Sequence, residues 1–360
     1  MSRQINTLAR CYNLTVAGRS VDSLEGIESI ALIPRYRKFM KMIVGTWLLK
    51  TNQFSRYYWN LADVRDAAQK LDGKQFDLII ANDVETLPLA FRIARGAKVL
   101  LDAHEYSPQE FDDRRIWRFF AQKYTHSYLC QDHLPKVDAM MTVCEGIAEE
   151  YEHHFHIPKP FVILNAPFLQ HLEPKPCGEH IRLIHHGKAI PSRKLEFMVE
   201  MMEYLDKRFL LDIMLIEKNP DYLKDLKSIS ASNQRIRFIP PVAMLDIPKT
   251  INIYDIGIFL LPPVNINYTY ALPNKFFEFI QARLAIAIGP SPEMARYVHH
   301  HDCGVVSRDF TPKQLAYELN RLTVEQINQY KQNAHKAAQK LCFEASEQIL
   351  LKHVQELLTI

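Results

Sequence analysis

Short apolar runs rich in Val, Ile and Leu alternate with amphipathic stretches along the chain, the pattern of parallel strands covered by helices on both faces. In the first half the runs predict strands over Leu14–Ala17, Ser29–Ile33, Asp77–Ala81, Lys98–Asp102, Ala139–Val143 and Phe161–Leu164. In the second half they predict Ile181–His185, Leu210–Ile216, Ile236–Ile239, Ile256–Leu261, Leu284–Ile288 and Gly304–Val306. Helices fill the intervals, and two more, Val324–Leu341 and Glu344–Leu358, close the chain. The segment from Asn165 to His180 carries Pro167, Pro174 and Pro176 and no periodicity, so residues 167–180 read as a linker. The expected organisation is an α/β domain over 1–166, the linker, a second α/β domain over 181–343, and a C-terminal helix over 344–360 that packs back on the first domain.

A length of 360 residues suits two such domains. With 48% hydrophobic and 24% charged residues the chain has the composition of a globular protein. No apolar run reaches the ~20 residues of a membrane-spanning helix, and no signal-peptide pattern opens the chain, so a cytoplasmic location is expected. Six scattered cysteines form no C-x-x-C pair, which argues against a zinc site and a disulfide framework. A net charge of +3 without a basic, aromatic-interleaved stripe argues against nucleic acid as a partner.

The most informative segment is Ala271-Leu-Pro-Asn-Lys-Phe-Phe-Glu278, followed by a predicted strand that ends at Gly289. Pro273 and Asn274 suit the start of a helix, whose free N–H groups and positive dipole end favour an anion such as a diphosphate. Glu278 follows one turn later on the face of Asn274 and Lys275, where its carboxylate could accept two hydrogen bonds from the vicinal diol of a ribose. Alone, the pattern equally suits a solvated carboxylate on an amphipathic helix. Gly187 follows the first strand of the second domain and would let the backbone approach a phosphate, with Lys188 and Arg193 supplying cations; a solvated basic turn is the plainer alternative. Asp102 and His104 come at the end of a predicted strand and Asn82 and Asp83 at the end of another, the positions from which open α/β sheets bind ligands in the cleft at their carboxyl edges.

In order and spacing these pieces resemble the retaining glycosyltransferases of family 4, whose fold of two Rossmann-like domains facing across a cleft is called GT-B. The resemblance runs over nearly the whole chain, through Asn82-Asp-Val-Glu-Thr-Leu-Pro88, Leu101-Asp-Ala-His-Glu105, Val143-Cys-Glu-Gly-Ile-Ala-Glu-Glu150, Ile163-Leu-Asn-Ala166, His186-Gly-Lys188 with Arg193, and Leu272-Pro-Asn-Lys-Phe-Phe-Glu278. It implies an acceptor-side first domain and a donor-binding second domain. Lys188 and Arg193 match the family's basic pair on the donor diphosphate, with Lys and Arg exchanged between the two positions. Glu278 matches the second glutamate of the family's Glu, seven residues, Glu pattern, and Tyr270 stands at the first, where it carries no negative charge. The resemblance places His104 beside the sugar being transferred, with Glu105 orienting it or capping the next segment. Asn82, Asp83, Asp102 and Asn165 would line the acceptor side. It also implies that basic residues and a helix dipole, not a divalent metal, neutralise the diphosphate, so no cofactor is expected.

Three histidine clusters (His153, His154 and His156; His185 and His186; His299 to His301) lack the i, i+4 pair with a third ligand that zinc needs. The last sits after a predicted helix end. Glu293, after Pro292, suits a helix first turn. Basic and aromatic residues interleave in Arg35–Met42 with Trp47 and in Arg114–Phe120, which suits either a solvated amphipathic helix or a surface facing anionic lipid.

These features together point to a hexosyltransferase-type enzyme with a nucleotide-sugar donor and a glycan or lipid-linked acceptor, in surface polysaccharide assembly, cytoplasmic and peripheral to the membrane. The alternatives are a nucleotide-sugar epimerase of the same fold and a non-catalytic partner subunit binding nucleotide or glycan. The chain opens on a helical pattern, Ser2 to Arg10, and reaches a strand only near Leu14, whereas relatives begin with a strand and loop. The first domain is thus expected to lack its first strand. That absence would leave the strands near Leu14 and Asp77 with unpaired edges or force them together. The same reading expects Met1 to be an internal start, with about 10 to 25 further residues upstream.

Overall fold

The computed structural model describes residues 2–19, 21, 26–35, 39–109 and 121–359. The chain forms two compact units, one of Met1–Ile163 with Glu347–Ile360, the other of Leu164–Ser346.

In the first unit β1 (Thr15–Gly18) and β2 (Glu28–Ala31) make a parallel pair of their own. A second parallel sheet runs β3 (Leu78–Asn82), β4 (Lys98–Ala103), β5 (Ala139–Thr142) and β6 (Phe161–Val162), in that order. All six strands fall where the apolar runs place them. Among the described residues β1 pairs only with β2 and β3 only with β4, so this unit carries two separate parallel sheets. The helices Ser2–Leu8 and Phe343–Thr359 supply Leu8, Leu350, Val354 and Leu357 to one core with Leu100 and Met141. The two helices are also tied by Thr7 Oγ1, which donates to Glu347 Oε1 at 2.6 Å. The helix Leu87–Ala94 connects β3 to β4, and Asn82, the last residue of β3, is the register partner of Asp102, the last but one of β4, at the same sheet edge.

The second unit is built on a six-stranded parallel sheet, ordered β12 (Gly304–Val306), β11 (Ala285–Ile288), β10 (Ile256–Phe259), β7 (Ile181–Lys188), β8 (Phe209–Ile216) and β9 (Ile236–Ile239). Central strands buried on both faces need apolar side chains throughout, which is why these segments read as continuous runs rather than alternations. The helix Asn274–Gln281 lies close on β10, because Phe279 covers Gly257, where an added Cβ would come 2.3 Å from its ring.

The second unit begins at Leu164 and takes in residues 167–180, expected as a linker. The buried Arg283 holds them: its guanidinium donates to Leu172 O at 3.1 Å, to Gln281 O at 2.6 Å and to Gln170 O. Glu344 accepts from Leu169 N at 3.0 Å, and Asn252 donates to Glu173 O at 3.0 Å. Arg283 sits at φ +64°, a conformation unfavourable for a long side chain, which these hydrogen bonds offset. A proline-bearing segment without periodicity is therefore ordered by backbone capture, which leaves no hydrophobic signature.

At the same amino edge of the sheet Lys331, buried on the helix Val324–Ala338, donates to Asp255 Oδ1 and to Tyr254 O, both at 2.9 Å. Asp255 Oδ2 accepts from Arg182 N at 2.8 Å, so one carboxylate joins β7, the approach to β10 and a covering helix. Removing one partner of a buried pair leaves the other charge uncompensated. Lys331→Ala is expected to destabilise the protein by about 3 to 5 kcal/mol, read from denaturant midpoints at unchanged m-value; a loss under about 1 kcal/mol would show that solvent reaches Asp255 freely.

Candidate functional site

The polar residues of the second unit converge at the carboxyl end of β7. This strand runs further than the apolar pattern indicates. It pairs with β8 through Lys188 opposite Ile216, so Gly187 and Lys188 lie in the strand rather than after it. Gly187 adopts φ +143°, and a Cβ there would come 2.8 Å from Lys275 Nζ and 3.7 Å from an Arg193 guanidinium nitrogen. A side chain at 187 would therefore strain the backbone and displace the lysine. Glycine keeps two basic side chains against bare backbone.

His185 and His186 precede this turn, and both are buried. His185 Nδ1 is 3.0 Å from Ile258 O, so that nitrogen carries the proton and Nε2 is left as an acceptor, 3.4 Å from Lys275 Nζ. Lys275 Nζ also lies 4.1 Å from the centre of the Phe259 ring. Burial holds the Lys275 amine well below the ordinary lysine range; Arg193 lowers it further and Glu278 opposes the shift. Burial likewise pushes His186 down to about 3, with Lys275 adding to the effect. His186 is thus neutral at physiological pH, and its 3.5 Å approach to Glu278 Oε2 is not an ion pair. Its buried Nε2 has no hydrogen-bond partner.

The sequence-selected donor residues divide between this cluster and its surroundings. Glu278 is buried beside His186, and Lys275 beside His185. Asn274 opens the helix, half-buried, after Pro273 at its N-cap. Arg193 closes the turn Pro191–Arg193 and reaches Gly187. Lys188 is exposed on the strand end. Tyr270 is half-buried behind the short helix Ile266–Thr269; that segment is tied to the Pro191 turn by Ser192 Oγ and Tyr268 Oη at 2.9 Å, and to Ser291 Oγ through Thr269 O at 3.2 Å. Glu293 is a first-turn carboxylate, paired with Arg296 at 2.8 Å. His299 to His301 form the last turn of the helix Pro292–His301 rather than following it. Sequence reasoning treated His185 and His186 only as a metal candidate and passed over Phe259. The available signal was position: two histidines inside a run that must be buried on both faces have to be satisfied there or meet a ligand.

In the first unit Asn82, Asp83, Asp102 and His104 share the carboxyl edge of β3 and β4. His104 Nε2 is 3.4 Å from Asp102 Oδ2, and the same carboxylate accepts from Gln4 Nε2 at 3.3 Å. Burial raises the Asp102 carboxyl above the usual range, and Asp83 adds to it, while His104 and Gln4 act the other way. Asp83 N donates to Asp102 O at 2.8 Å, and His104 N approaches Asp83 Oδ1 at 3.4 Å. Asp83 has φ +63° and ψ 152°, a region essentially reserved for glycine. Asn82 Oδ1 is buried without a hydrogen-bond partner. Glu105 is exposed, with its carbonyl accepting from Tyr151 Oη at 2.9 Å, and the Asp102 carboxylate lies beside the His104 ring. Asn165 belongs to the second unit and is not part of this group. Residues 114–120 lie outside the described residues, as do 36–38 of the other basic aromatic segment. Among the described residues no three His, Cys, Asp or Glu side chains converge as for a metal, and no helix is long and apolar enough to cross a membrane.

No protein-family model matches the chain, and no curated protein matches it in sequence. Solved structures do match. Sucrose-phosphate synthase from Thermosynechococcus elongatus superposes with a TM-score of 0.72 at 12% identity, over 99% of this chain and 92% of that one. HepE of Anabaena, solved with UDP and glucose, gives 0.68 at 14% identity, over 99% and 95%. TarM of S. aureus, solved with UDP, alpha-GlcNAc-glycerol and fondaparinux, gives 0.65 at 12% identity over 83% of this chain, which spans only 59% of TarM's length. The structural neighbours are GT-B glycosyltransferases, and the chain has that fold.

Asp83 supplies a test of whether the first-unit cluster is held for function. Glycine relieves the backbone strain there, worth about 1 to 3 kcal/mol, less about 0.5 to 1 kcal/mol of added freedom in the unfolded chain. Asp83→Gly is therefore expected to raise the thermal midpoint by a few degrees while lowering turnover. A variant that is both more stable and fully active would make the strain incidental.

Proposed function

We propose that the chain is a retaining glycosyltransferase that moves a sugar from a nucleoside diphosphate donor to a glycan or lipid-linked acceptor, in surface polysaccharide assembly. One observation carries the reading: the basic side chains of Lys275 and Arg193 stand together at the side-chain-free Gly187, where an anion would meet both. Neighbours solved with UDP, alone or with glucose, share the overall fold, which supports a nucleotide donor. In this reading Arg193, Lys275 and the N-terminus of the Asn274 helix hold the diphosphate, with Lys188 at the open rim. Glu278 accepts the ribose hydroxyls, and the orphaned Nε2 of His186 beside it finds a partner there. Tyr270, in place of a carboxylate, faces the sugar through its hydroxyl and ring.

Charge grows on the diphosphate as the sugar departs, so cations fixed in advance stabilise the transition state more than the bound donor. A cation about 4 Å from a diphosphate oxygen contributes on the order of 4 kcal/mol before desolvation at an effective dielectric near 20. No divalent cation is required by this arrangement. Attack by the acceptor hydroxyl from the face the diphosphate leaves, with its proton passing to the departing oxygen, retains configuration without an enzyme nucleophile; Asn82, Asp83 and His104 are the first unit's candidates for acceptor contact.

The first unit adds a second element to the proposal, contact with an anionic membrane. On the helix Phe39–Lys50, Ile43, Val44 and Trp47 are about half-exposed, at 49%, 50% and 55%, and fall on one face by their spacing. From Arg35 to Lys50 the sequence carries five basic residues and no acidic one. An apolar face flanked by basic residues suits the boundary of an anionic bilayer. Trp47→Ser with Val44→Ser is expected to cut partition onto vesicles containing phosphatidylglycerol at least tenfold, measured by co-sedimentation; equal partition would remove the membrane from the proposal.

The enzymatic reading is tested by steady-state kinetics with a panel of nucleotide sugars in excess chelator. Activity should persist there. Arg193→Ala should lower kcat more than it raises KM, and Glu278→Ala should weaken donor binding by roughly 1.5 to 3 kcal/mol. Loss of activity in chelator that magnesium restores, or variants that alter neither constant, would overturn the assignment.

A further inference from the structure

The second unit buries two lysines, and they differ in one respect. Lys331 has Asp255 at 2.9 Å; among the described residues Lys275 has no carboxylate within ion-pair distance, and its polar contact is the lone pair of His185 Nε2. The groups facing Lys275 are His185 and His186 on β7, Arg193 on the adjoining turn, Glu278 on its own helix, and the uncharged Phe259 ring on β10. Three of the four titratable or charged neighbours are bases, and the histidines are held neutral by burial. An ammonium in that setting has lost its hydration without gaining an anion, which favours the neutral amine. A diphosphate at Gly187 reverses the balance, since it puts two negative charges against Nζ.

Resting on the donor-site reading above, we infer that Lys275 is a neutral amine in the free protein and takes up one proton from solvent when a nucleoside diphosphate binds. His185 is the positioning residue: its Nδ1–H is committed to Ile258 O, so its Nε2 accepts one Lys275 hydrogen in either state and aims Nζ at the Gly187 turn. The site then binds a diphosphate and rejects a neutral ligand, because only an anion supports the protonated lysine. The sign follows from the linkage. Above the free-state pKa of Lys275 the protonated fraction falls as pH rises, so affinity should drop by up to about tenfold per pH unit until the bound-state pKa is reached.

Titration calorimetry with UDP at about pH 8, in two buffers of different ionisation enthalpy, reads the proton directly. UDP's terminal phosphate is already ionised there, with a pKa of about 6, as are no histidines of the cluster, so neither contributes. Wild type should take up about one proton per UDP. Lys275→Arg, permanently charged, should bind UDP with no uptake, and Lys275→Met should bind at least tenfold more weakly with none. UDP binding by wild type without uptake, or the same uptake in Lys275→Met, would overturn the inference while leaving the donor site standing. Failure of wild type to bind UDP, GDP or ADP would overturn the donor site itself, and this inference with it. If Lys275→Arg does not fold, the wild-type value and Lys275→Met decide.

Discussion

Burial of β7 on both faces constrains everything else in the second unit. It is the middle strand, paired with β10 on one side and β8 on the other, and a strand so placed can present polar groups only where they are satisfied or where the sheet ends. Ile181, Leu183 and Ile184 obey the first condition trivially. His185, His186 and Gly187 do not, and they sit where pairing with β10 has already stopped and only β8 continues. The carboxyl end of the strand is therefore half-open backbone, filled from the side by the Asn274 helix and its Lys275.

The same unit shows what a lysine costs when buried and how the cost is met. Around Lys331 the protein supplies a carboxylate and a carbonyl, and that carboxylate in turn accepts a β7 amide, so the charge serves packing. Around Lys275 it supplies an imidazole lone pair, an aromatic face and a second cation. No packing argument selects those neighbours, because an apolar residue of the same volume would fill the space with less desolvation. The difference between the two environments is what separates a structural lysine from one that waits for an anion.

How much of this was legible in the sequence depends on whether the controlling signal was local. The twelve strands were legible, since parallel strands buried on both faces carry their apolar runs on their face value. Glu278, Lys275 and Arg193 were legible through motif and spacing, and the helix start at Asn274 through Pro273. The extension of β7 through Lys188 was not, because it is set by pairing with β8 across two polar residues. Nor was the capture of residues 164–180, which depends on Arg283, more than a hundred positions away, in a conformation that its residue type does not advertise. His185 and His186 were visible as letters and invisible as chemistry: their role follows from which nitrogen meets Ile258 O and which meets Lys275, and that is decided by the strand on one side and the helix on the other.

Structural likeness at 12–14% identity fits this division. Cores tolerate wholesale exchange of apolar residues when volume and pattern are kept, so the sheets can persist while nearly every side chain in them changes. A fold held in that way says little about chemistry, which resides in the few positions where pattern alone would have chosen otherwise. In this chain those positions are a glycine at φ +143° in a strand, an aspartate in a glycine region of backbone space, and a lysine buried without a carboxylate. Each is unfavourable for stability by itself. Two of them, Gly187 and Lys275, meet at the end of one strand, and the third, Asp83, lies at the end of another beside a buried carboxyl and a histidine. The strand ends are where an open parallel sheet leaves backbone unpaired, so the unfavourable residues collect where the fold has already given up some of its own hydrogen bonding.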